Sequence, residues 1–473
     1  MDFIRSKFSG YQWELVKHRD VRSVYKLTQG KNSLYIKIYH PTTIFQQLRN
    51  MIYPRTLKEA RMLLRLADSG IMVPKVIDHI RHGFTSALVT RAIDPCKHLY
   101  DIRIEDQARI ILDITKTLME NGFYYKDLHA GNIILDDTNN AFLVDAYEVV
   151  PRRRVKERDV INMFALVLGI YDVSNQLLGD YIHILLPQVD PKGIIKAIRK
   201  KAFFSTRQLV KRYVKRSLAP GSFSEFISTH EYDALIPRDS KIDLDKIIQT
   251  HRENIKNGNN ILKYQDKTQV SLAGDYCVKW YKKIHKVTRP YAIRAWCGLL
   301  TLYFNGIHVP APVAAVVFKD RSSLLITQGL SLPNLDRLLY HEYESMSLKH
   351  KIELSRRFGM LVGRMHSRNI YHADMKACNI MVANDTVDFF ILDTDRVTQL
   401  RHMSDKRRLK NLVQINTSIP RHVSSGLRMA FMVAYTNITG GNPKDFFKEV
   451  WALSKMEDIV YTTNLGDKIE SWD

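Results

Sequence analysis

One stretch of the chain constrains its fold more than any other. It reads YYKDLHAGNIILDDTNNAFLVDAYEVV and covers residues 124–150. NIIL and FLVD have the composition of short strands, and DDTNNA between them that of a turn. An antiparallel hairpin would bring Asp127, Asn132 and Asp145 to one end of a small sheet. Two oxygen ligands beside a free carboxylate suit magnesium and a reacting hydroxyl. The alternative is a surface hairpin with Asn and Asp in ordinary turn roles.

The same pattern returns in the second half of the chain. Residues 371–397 read YHADMKACNIMVANDTVDFFILDTDRV, and Asp374, Asn379 and Asp393 follow their counterparts by 247 or 248 positions. Three further features repeat in the same order: a lysine in a short apolar strand, a Gly-Ile-x-Val-Pro turn, and a basic segment after the hairpin. A repeat at this scale predicts two copies of one domain.

The length of the chain agrees with two domains, because 473 residues exceed one ordinary hydrophobic core. The order of features in each half predicts an α+β fold, with a small β-rich lobe followed by a larger helical lobe. We place the first domain at 1–216 and the second at 242–473. Residues 217–241, rich in Pro, Ser, Gly and charge, are predicted to link them.

A formal charge of +22 predicts attraction to an anionic partner. Nucleic acid, a phospholipid surface and an acidic or phosphorylated saccharide all have this property. The sequence has no zinc-ligand spacing, no RNP-type aromatic strand and no clear recognition helix, so nucleic acid is the least favoured of the three.

The sequence also predicts where the protein works. No apolar run approaches the length of a membrane span, and the first ten residues lack the apolar core of a signal peptide. The four cysteines are scattered and are best interpreted as reduced thiols. We expect a cytoplasmic protein with peripheral contact to the inner face of the cytoplasmic membrane.

Both repeated motifs resemble the catalytic segments of protein-kinase-like folds. They are similar to those of the bacterial lipopolysaccharide core kinases, which phosphorylate heptose or Kdo sugars and typically carry an Asp-x-Asp-Arg run, as in ILDTDR here. YKDLHAGNIIL also resembles the aminoglycoside phosphotransferase and RIO branches. The resemblance implies two tandem bilobal domains, each with an antiparallel β-rich N-lobe and a mainly helical C-lobe.

For the first half the resemblance implies a complete set of kinase residues. Lys37, in LYIKIY, would bind the ATP phosphates, and Glu59 would pair with it from a helix. Asp127 would act on the acceptor hydroxyl as the catalytic residue. Asn132 and Asp145 would hold Mg²⁺ or Mn²⁺. Solvated side chains and turn carboxylates remain the alternative for these five residues.

The second half has Lys279 for ATP, Asp374 for catalysis, and Asn379 and Asp393 for metal. Counting eleven residues back from its Gly-Ile turn, as from the first turn to Glu59, arrives at Ala295. Without the glutamate partner the lysine is less well positioned, so we expect the second domain to be the weaker or inactive copy. Neither half has a glycine-rich loop between its first two strands.

Basic residues near each hairpin are candidates for binding an anionic acceptor, because arginine recognises carboxylate and phosphate with two hydrogen bonds. A solvated helix face is the alternative. The residues assigned to this role are Arg152, Arg153, Arg154, Lys376 and Arg396. Another basic stretch, residues 192–218, is predicted either to lie on an anionic leaflet or to close the first domain as an ordinary helix.

These features together predict an ATP-dependent kinase that phosphorylates a sugar hydroxyl of a lipid-linked anionic glycan, such as lipopolysaccharide inner-core heptose or Kdo. One alternative is a kinase of the same fold acting on protein Ser/Thr or on a small metabolite. Another is a non-catalytic, nucleotide-binding pseudokinase that serves as a scaffold at the membrane.

Overall fold

The structure is a computed structural model that describes residues 2–171, 173–221, 223–238, 240–282, 289–463 and 466–472. The chain divides into two compact units, Met1–Ser205 and Thr206–Asp473. Both contain antiparallel sheets and helices, as the α+β prediction required. No helix among the described residues is both long and apolar enough to cross a bilayer.

The first unit begins with strands that alternate buried and partly exposed residues, so one face packs on a core. Among the described residues they form a five-stranded antiparallel sheet of order β1-β2-β3-β5-β4. The elements of this lobe are α1 (Asp2–Lys7), β1 (Gln12–Arg19), β2 (Arg22–Gln29), β3 (Asn32–Tyr39), α2 (Ile44–Ile52), α3 (Arg55–Asp68), β4 (Val76–His82) and β5 (Thr85–Arg91).

The remainder of the first unit is mainly helical and has its own apolar core. The predicted hairpin is confirmed: β8 and β9 pair antiparallel, and β10 pairs with β7 beside them. The elements are β6 (Cys96–His98), α4 (Ile104–Glu120), β7 (Phe123–Tyr125), β8 (Ile133–Asp136), β9 (Ala141–Leu143), β10 (Val149–Pro151), α5 (Glu157–Leu168), α6 (Asn175–Leu185) and the first part of α7 (Pro191–Arg216), which continues past Ser205.

Helix α7 contains most of the basic stretch for which two roles were open. Its residues Ile194, Ile198 and Ala202 are buried in the core of the first unit. The apolar side of this part of the helix is therefore occupied by protein, as expected of a helix that closes the domain. It is not free to lie on a lipid surface.

The second unit also begins with a sheet, of order β11-β12-β16-β17-β15-β14-β13 in its described part. Five of these strands, β13 to β17, repeat the order of the first sheet, so the duplication read from the sequence extends to the topology. The elements are β11 (Ser224–Ser228), β12 (Tyr232–Pro237), α8 (Leu244–Asn257), β13 (Ile261–Gln265), β14 (Thr268–Ala273), β15 (Tyr276–Tyr281), α9 (Tyr291–Phe304), β16 (Pro312–Phe318) and β17 (Ser323–Gln328).

Strands β11 and β12 lie within residues 217–241, the stretch predicted to link the domains. They form a hairpin, and β12 pairs with β16, so this stretch adds two strands to the edge of the second sheet. In β12 the consecutive residues Ala234, Leu235 and Ile236 are all buried. Composition alone had indicated a loop, whereas the apolar pattern within it forms a strand.

The helical part of the second unit is larger than that of the first. Helices α11 and α13 pack closely where a Cβ at Gly359 would lie 2.2 Å from Phe431 O. The elements are α10 (Leu335–His341), α11 (Leu348–Ser367), β18 (Ile370–His372), β19 (Ile380–Ala383), β20 (Asp388–Ile391), β21 (Val397–Gln399), α12 (Asp405–Asn416), α13 (Ser425–Thr439), α14 (Pro443–Ser454), β22 (Ile459–Thr463) and β23 (Gly466–Glu470).

Candidate active sites

Strand β3 of the first unit places Lys37 between two buried isoleucines, so its side chain points to the other face of the sheet. Its Nζ donates to Glu59 Oε1 at 2.5 Å and to the carbonyl oxygen of Val144 at 3.0 Å. The same nitrogen lies 3.9 Å from Asp145 Oδ2. Three parts of the chain, β3, α3 and the end of the hairpin, therefore meet at this ammonium group.

Glu59 comes from helix α3, where it lies on the buried face. Burial raises the pKa of Glu59 above its ordinary value, against the attraction of Lys37. Removing either charge would leave the other buried without its partner, which is costly. The ion pair therefore fixes the orientation of Lys37.

The loop between β7 and β8 holds Asp127 and Asn132 in fixed orientations. Asn132 Nδ2 donates to Tyr125 Oη at 2.7 Å and to Asp127 O at 2.9 Å, and Tyr125 Oη donates to Asp145 O at 2.5 Å. With its amide hydrogens used in this way, Asn132 has its carbonyl oxygen available to a cation. The Asp127 side chain is 64% exposed, and its Oδ2 lies 3.8 Å from His129 Nε2.

Asp145 carries the charge at the centre of this site. Burial opposes its ionisation, but Lys37 and Arg22 outweigh that effect and hold the pKa of Asp145 below its ordinary value. Arg22 Nη1 lies 3.5 Å from Asp145 Oδ2. Arg22 starts β2, in the segment where a glycine-rich loop would fall. It was missed in the sequence because one arginine beside a turn is not distinctive.

A cavity of about 260 Å³ in the first unit is lined by Arg22, Lys37, Glu59, Asp127 and Asp145. Arg55 closes one side by stacking on Tyr147, with its guanidinium carbon 4.3 Å from the ring centre. The cavity combines three cationic groups with several carboxylates, which suits a polyanion accompanied by a cation. Its charged lining residues are Arg22, Lys37, Arg55, Glu59, Asp127, Asp145 and Glu148.

The second unit arranges its lysine differently. Lys279, on β15, donates from Nζ to Asp393 Oδ1 at 2.5 Å, and Asp395 Oδ1 lies 4.0 Å away. Burial opposes the ionisation of Asp393, but Lys279 more than compensates and holds the pKa of Asp393 below its ordinary value. Both carboxylates come from the Asp-x-Asp-Arg run, and sequence analysis had not singled out Asp395.

Helix α9 explains why the two lysines differ. Like α3, it has 14 residues, follows a proline and ends before a glycine with positive φ. Ala295 is the fifth residue of α9, as Glu59 is of α3, and it is fully buried. Within the described residues of this unit, the carboxylates beside Lys279 Nζ belong to Asp393 and Asp395, and no helix glutamate is among them.

The catalytic loop of the second unit is similar to that of the first. Asn379 Nδ2 donates to Asp374 O at 2.9 Å, and buried His372 stands where Tyr125 stands in the first. His372 Nδ1 accepts from the backbone of Asp374, and its Nε2 donates to Leu392 O. Lys376 Nζ lies 3.7 Å from Asp374 Oδ1. The carboxylate of Asp374 therefore already has a cationic neighbour.

Comparison with sequence families agrees with the duplicated architecture. Residues 274–435, inside the second unit, match the lipopolysaccharide kinase (Kdo/WaaP) family, and residues 16–166, inside the first, match the RIO domain. The protein is a tandem kinase of the protein-kinase-like superfamily. The predicted fold class is thereby confirmed, and kinases of these families use ATP as phosphate donor.

Each of three similar solved structures matches less than half of this tandem kinase. A complex of WbdD with the kinase inhibitor LY294002 is 19% identical over 40% of this chain and 45% of that one, with a TM-score of 0.29. The aminoglycoside phosphotransferase APH(4)-Ia is 10% identical over 46% and 91%, with a TM-score of 0.29. The PknI kinase domain of Mycobacterium tuberculosis is 12% identical over 41% and 97%, with a TM-score of 0.27. The tandem kinase spans less than half of WbdD. No curated protein sequence matches it.

Beside the catalytic loop, the first domain of the tandem kinase has a second concavity, of about 520 Å³, which we call the basic basin. Asp159 is its acidic lining residue, and Arg152 Nε lies 3.6 Å from Asp159 Oδ1. The three predicted acceptor arginines of this domain all line it. Its cationic residues are Lys126, Arg152, Arg153, Arg154, Lys156 and Arg158.

The backbone of the basin is held to the catalytic loop. Arg152 N donates to Gly122 O at 2.6 Å, and Gly122 has a φ of +73°. A Cβ at Gly122 would lie 2.8 Å from Arg152 O, so glycine is needed here. The Arg152 guanidinium lies 5.2 Å from the centre of the Tyr124 ring. In the second domain, Lys376 and Arg396 are exposed.

Proposed function

We propose that the first domain transfers the γ-phosphate of ATP to a sugar hydroxyl of a lipid-linked anionic glycan, at the inner face of the cytoplasmic membrane. The observation that carries this proposal is the convergence of Lys37, Glu59, Asp127 and Asp145 on one cavity with the basic basin beside it. The match of the second half to the lipopolysaccharide kinase family supports a glycan acceptor.

ATP binding needs cationic groups fixed in place before the nucleotide arrives. Lys37 meets this requirement, because Glu59 holds its ammonium group at 2.5 Å. Arg22 supplies a second cation from the strand where phosphate-binding loops lie in other kinases. In this role the guanidinium leaves Asp145 and contacts a phosphate oxygen, which compensates for the missing glycine-rich loop.

The donor set fits magnesium. Asn132 offers a carbonyl oxygen and Asp145 an ionised carboxylate, and magnesium is usually held by one or two such groups together with substrate phosphates. In the described part of the chain no three His, Cys, Asp or Glu side chains are placed to hold a metal ion. When bound, the ion neutralises charge on the phosphate oxygens.

Asp127 is suited to orient the acceptor and to take its proton. It is the exposed carboxylate of the site, and the hydrogen bonds of Asn132 fix its backbone. The acceptor oxygen attacks the γ-phosphorus as its proton passes to Asp127 Oδ. The bond from that phosphorus to the bridging oxygen breaks, and ADP leaves with the electron pair.

The basic basin would bind the anionic groups of the acceptor. Lys126 lies both in the basin and next to Asp127 in the chain, so a bound glycan could place a hydroxyl at Asp127 while its carboxylates or phosphates contact Arg152 and Arg153. Guanidinium groups bind such anions with paired hydrogen bonds. A neutral acceptor would leave the six cationic residues of the basin without a role.

The second domain is proposed as the slower site. Lys279 is paired with Asp393, one of its two metal-ligand candidates, so nucleotide and metal must separate that pair before they can bind. A second candidate function has one observation in its favour: the RIO match of residues 16–166 is also consistent with a protein Ser/Thr acceptor.

The experiment that tests this function supplies γ-labelled ATP and magnesium to the full chain together with a membrane extract. Lipid-linked glycan, protein and soluble metabolites are then separated and counted. We expect label in the glycan fraction and its loss in an Arg152→Ala/Arg153→Ala variant that still hydrolyses ATP. Label in protein or metabolites instead would overturn the glycan assignment.

A further inference from the structure

Helix α2 of the first unit is folded with its apolar side outward. On a wheel of 3.6 residues per turn, Met51, Ile44, Leu48, Ile52 and Phe45 fall in this order within an arc of about 120°. Phe45 is 89% exposed and Ile52 85%. The opposite side carries the amides Gln46, Gln47 and Asn50, which face the protein. A soluble helix normally shows the reverse arrangement.

Specific hydrogen bonds hold this orientation. Asn50, the buried residue of α2, donates to the carbonyl oxygen of Phe84 at 2.7 Å and to Ser86 Oγ at 3.2 Å, and it accepts from Arg55 N at 3.3 Å. Thr43 caps the N-terminus. Turning the apolar side inward would break these bonds and leave the polar groups of Phe84, Ser86 and Arg55 without Asn50 as their partner. The outward face is therefore specified by the sequence.

The surroundings of this face are basic. Arg49 lies at the border of the apolar arc, and residues 41–58 contain no Asp or Glu. The neighbouring β4–β5 hairpin adds exposed Arg81 on β4 and exposed Phe84 in the turn. Asp78, on β4, is already paired with Lys7 at 2.6 Å. An apolar arc bordered by cations matches a helix that lies in the interface of an anionic bilayer.

We propose that α2 inserts its apolar face into the headgroup region of an anionic phospholipid bilayer and so anchors the first domain there. This inference rests on the proposed function, because a lipid-linked acceptor is presented at such a surface. Phe45 and Ile52 enter the apolar layer, while Arg49 and Arg81 contact lipid phosphates. The net charge of +22 supplies long-range attraction to the same surface.

The test is sedimentation of the full chain with phosphatidylcholine vesicles, with and without phosphatidylglycerol. We expect binding that depends on phosphatidylglycerol and that falls about tenfold in a Phe45→Gln/Ile52→Gln variant. The matched control is Tyr264→Gln/Met456→Gln, which removes two well-exposed apolar side chains of the second unit and should bind as the parent does.

Equal vesicle binding by the α2 variant and its control would overturn the proposal. So would a parent that is dimeric without vesicles while the α2 variant is monomeric, because a second copy would then cover the face. Transfer to a detergent-dispersed acceptor separates this inference from the proposed function. The α2 variant should retain that activity, whereas failure of the parent to transfer at all would count against the function itself.

An independent observation concerns the second unit, where the small residues Ala295 and Gly298 of α9 allow the segment after Asp393 to pack against the helix. A Cβ at Gly298 would lie 1.9 Å from Thr394 O, and Thr394 Oγ1 donates to Ala295 O at 2.8 Å. The turn thus packs directly on the helix at the level where a glutamate would have stood. That approach carries the next residue, Asp395, toward Lys279.

Asp395 is held at this position from several sides. Its side chain is 10% exposed, and Lys279 Nζ and Tyr281 Oη lie 4.0 and 3.5 Å from its Oδ1. Arg294 donates to its backbone oxygen at 3.3 Å. Tyr281 in turn stacks on Tyr291, the first residue of α9. A buried carboxylate beside Lys279 is the arrangement that Glu59 provides in the first domain.

We infer that Asp395 takes the place of the missing helix glutamate and positions Lys279 when Asp393 turns to metal and nucleotide. Asp395 acts here as a positioning residue for the second nucleotide site, and this role rests on the proposed function. In each domain a carboxylate that does not bind metal then orients the lysine. That carboxylate comes from α3 in the first domain and from the Asp-x-Asp-Arg run in the second.

Calorimetric titration with magnesium-ATP tests this role in the full chain carrying Lys37→Ala, so that the second site alone is read. We expect Asp395→Asn to weaken binding about tenfold, as Glu59→Gln does for the first site in a Lys279→Ala chain. Asp388→Asn, at the start of β20 with its side chain 41% exposed, is the charge-matched control. Thermal unfolding should be unchanged, which excludes a general loss of structure.

Parent-like affinity in Asp395→Asn would overturn this role and leave the second site standing. A Lys37→Ala parent that binds no nucleotide would overturn both. Restored affinity in Asp395→Glu would support the positioning role, because a longer carboxylate can still reach Lys279.

Discussion

Lys37 Nζ and Glu59 Oε1 lie 2.5 Å apart, and this pair distinguishes the first domain from the second. At the corresponding place Lys279 is 2.5 Å from Asp393, a metal-ligand candidate. In the first domain the closest partner of the lysine is Glu59, and the metal-ligand candidate Asp145 lies farther away, at 3.9 Å. In the second domain the closest partner of the lysine is the metal-ligand candidate Asp393 itself. The difference predicts unequal nucleotide sites on two related folds.

The first prediction concerns the ion pair itself. Glu59→Gln removes the charge that orients Lys37 and leaves the ammonium group buried beside a neutral amide. We expect kcat/KM for ATP at the first site to fall by about a hundredfold, measured in a chain whose second site is disabled by Lys279→Ala. Glu120→Gln, at the exposed end of α4, should change it by less than about threefold. Equal values for both variants would contradict the assignment.

Arg22 gives a prediction that sequence motifs do not make. If its guanidinium moves from Asp145 to a phosphate oxygen, Arg22→Ala should raise the KM for ATP about tenfold with a smaller change in kcat. Lys31→Ala, in the exposed β2–β3 turn, is the matched control and should behave as the parent. A lower KM for ATP in Arg22→Ala would contradict this role, because it would mean that Arg22 competes with metal and nucleotide for Asp145 and does not bind phosphate.

Gly298 tests the close packing of α9 on the segment after Asp393. An added methyl group would meet Thr394 O at 1.9 Å, so Gly298→Ala should lower the free energy of unfolding of the second unit by about 2 kcal/mol or more. Gly193→Ala, in α7, meets nothing within 4 Å and should be neutral or stabilising by up to about 1 kcal/mol. Urea denaturation measures both. A neutral Gly298→Ala would contradict the packing.

The buried histidines of the second unit predict a dependence of stability on pH. Burial lowers the pKa of His366 and of His251 to about 4, from an ordinary 6.5. In the unfolded chain these two histidines take up protons below about pH 6.5, whereas in the native chain they do so only near pH 4. Their contribution to the free energy of unfolding is therefore complete above pH 6.5 and is lost as the pH falls. At pH 5 the loss is about 2 kcal/mol for each histidine.

Tryptophan fluorescence during urea unfolding measures this loss, because four of the five tryptophans belong to the second unit. His366 bonds Tyr435 and Asn411, so His366→Gln should be less stable at pH 7 but lose less between pH 7 and 5 than the parent. His230→Gln, whose ring is exposed, should keep the parental slope. Equal slopes in all three proteins would contradict the interpretation.

The sequence was sufficient to predict those parts of the molecule where phosphate transfer requires particular residue types in a particular order. The repeated hairpin and Lys37 could be found because short apolar strands and the order of the polar residues around them can be recognised from the sequence alone. Ala295 was found by counting, and the equal lengths of α3 and α9 justify the count. The roles assigned to these residues remain predictions.

Other features depend on packing and could not be read in this way. Asp395 lies near Lys279 because Gly298 has no side chain, so the segment that includes Thr394 and Asp395 can pack against α9. Sequence spacing alone does not predict this contact. Helix α2 has an ordinary amphipathic pattern, whose outward orientation is set by Asn50 bonding to a distant turn. The strands in residues 217–241 were missed because turn-forming residues surround them and because each strand is only five or six residues long.

The most direct test of the account is phosphate transfer from γ-labelled ATP to the lipid-linked glycan fraction by three full-length proteins: the parent, Asp127→Asn and Asp374→Asn. Each variant is first shown to bind magnesium-ATP. We predict that Asp127→Asn loses transfer by about a thousandfold or more while Asp374→Asn retains most of it. Parental transfer by Asp127→Asn would show that the cavity around Lys37 and Glu59 is not where the reaction takes place.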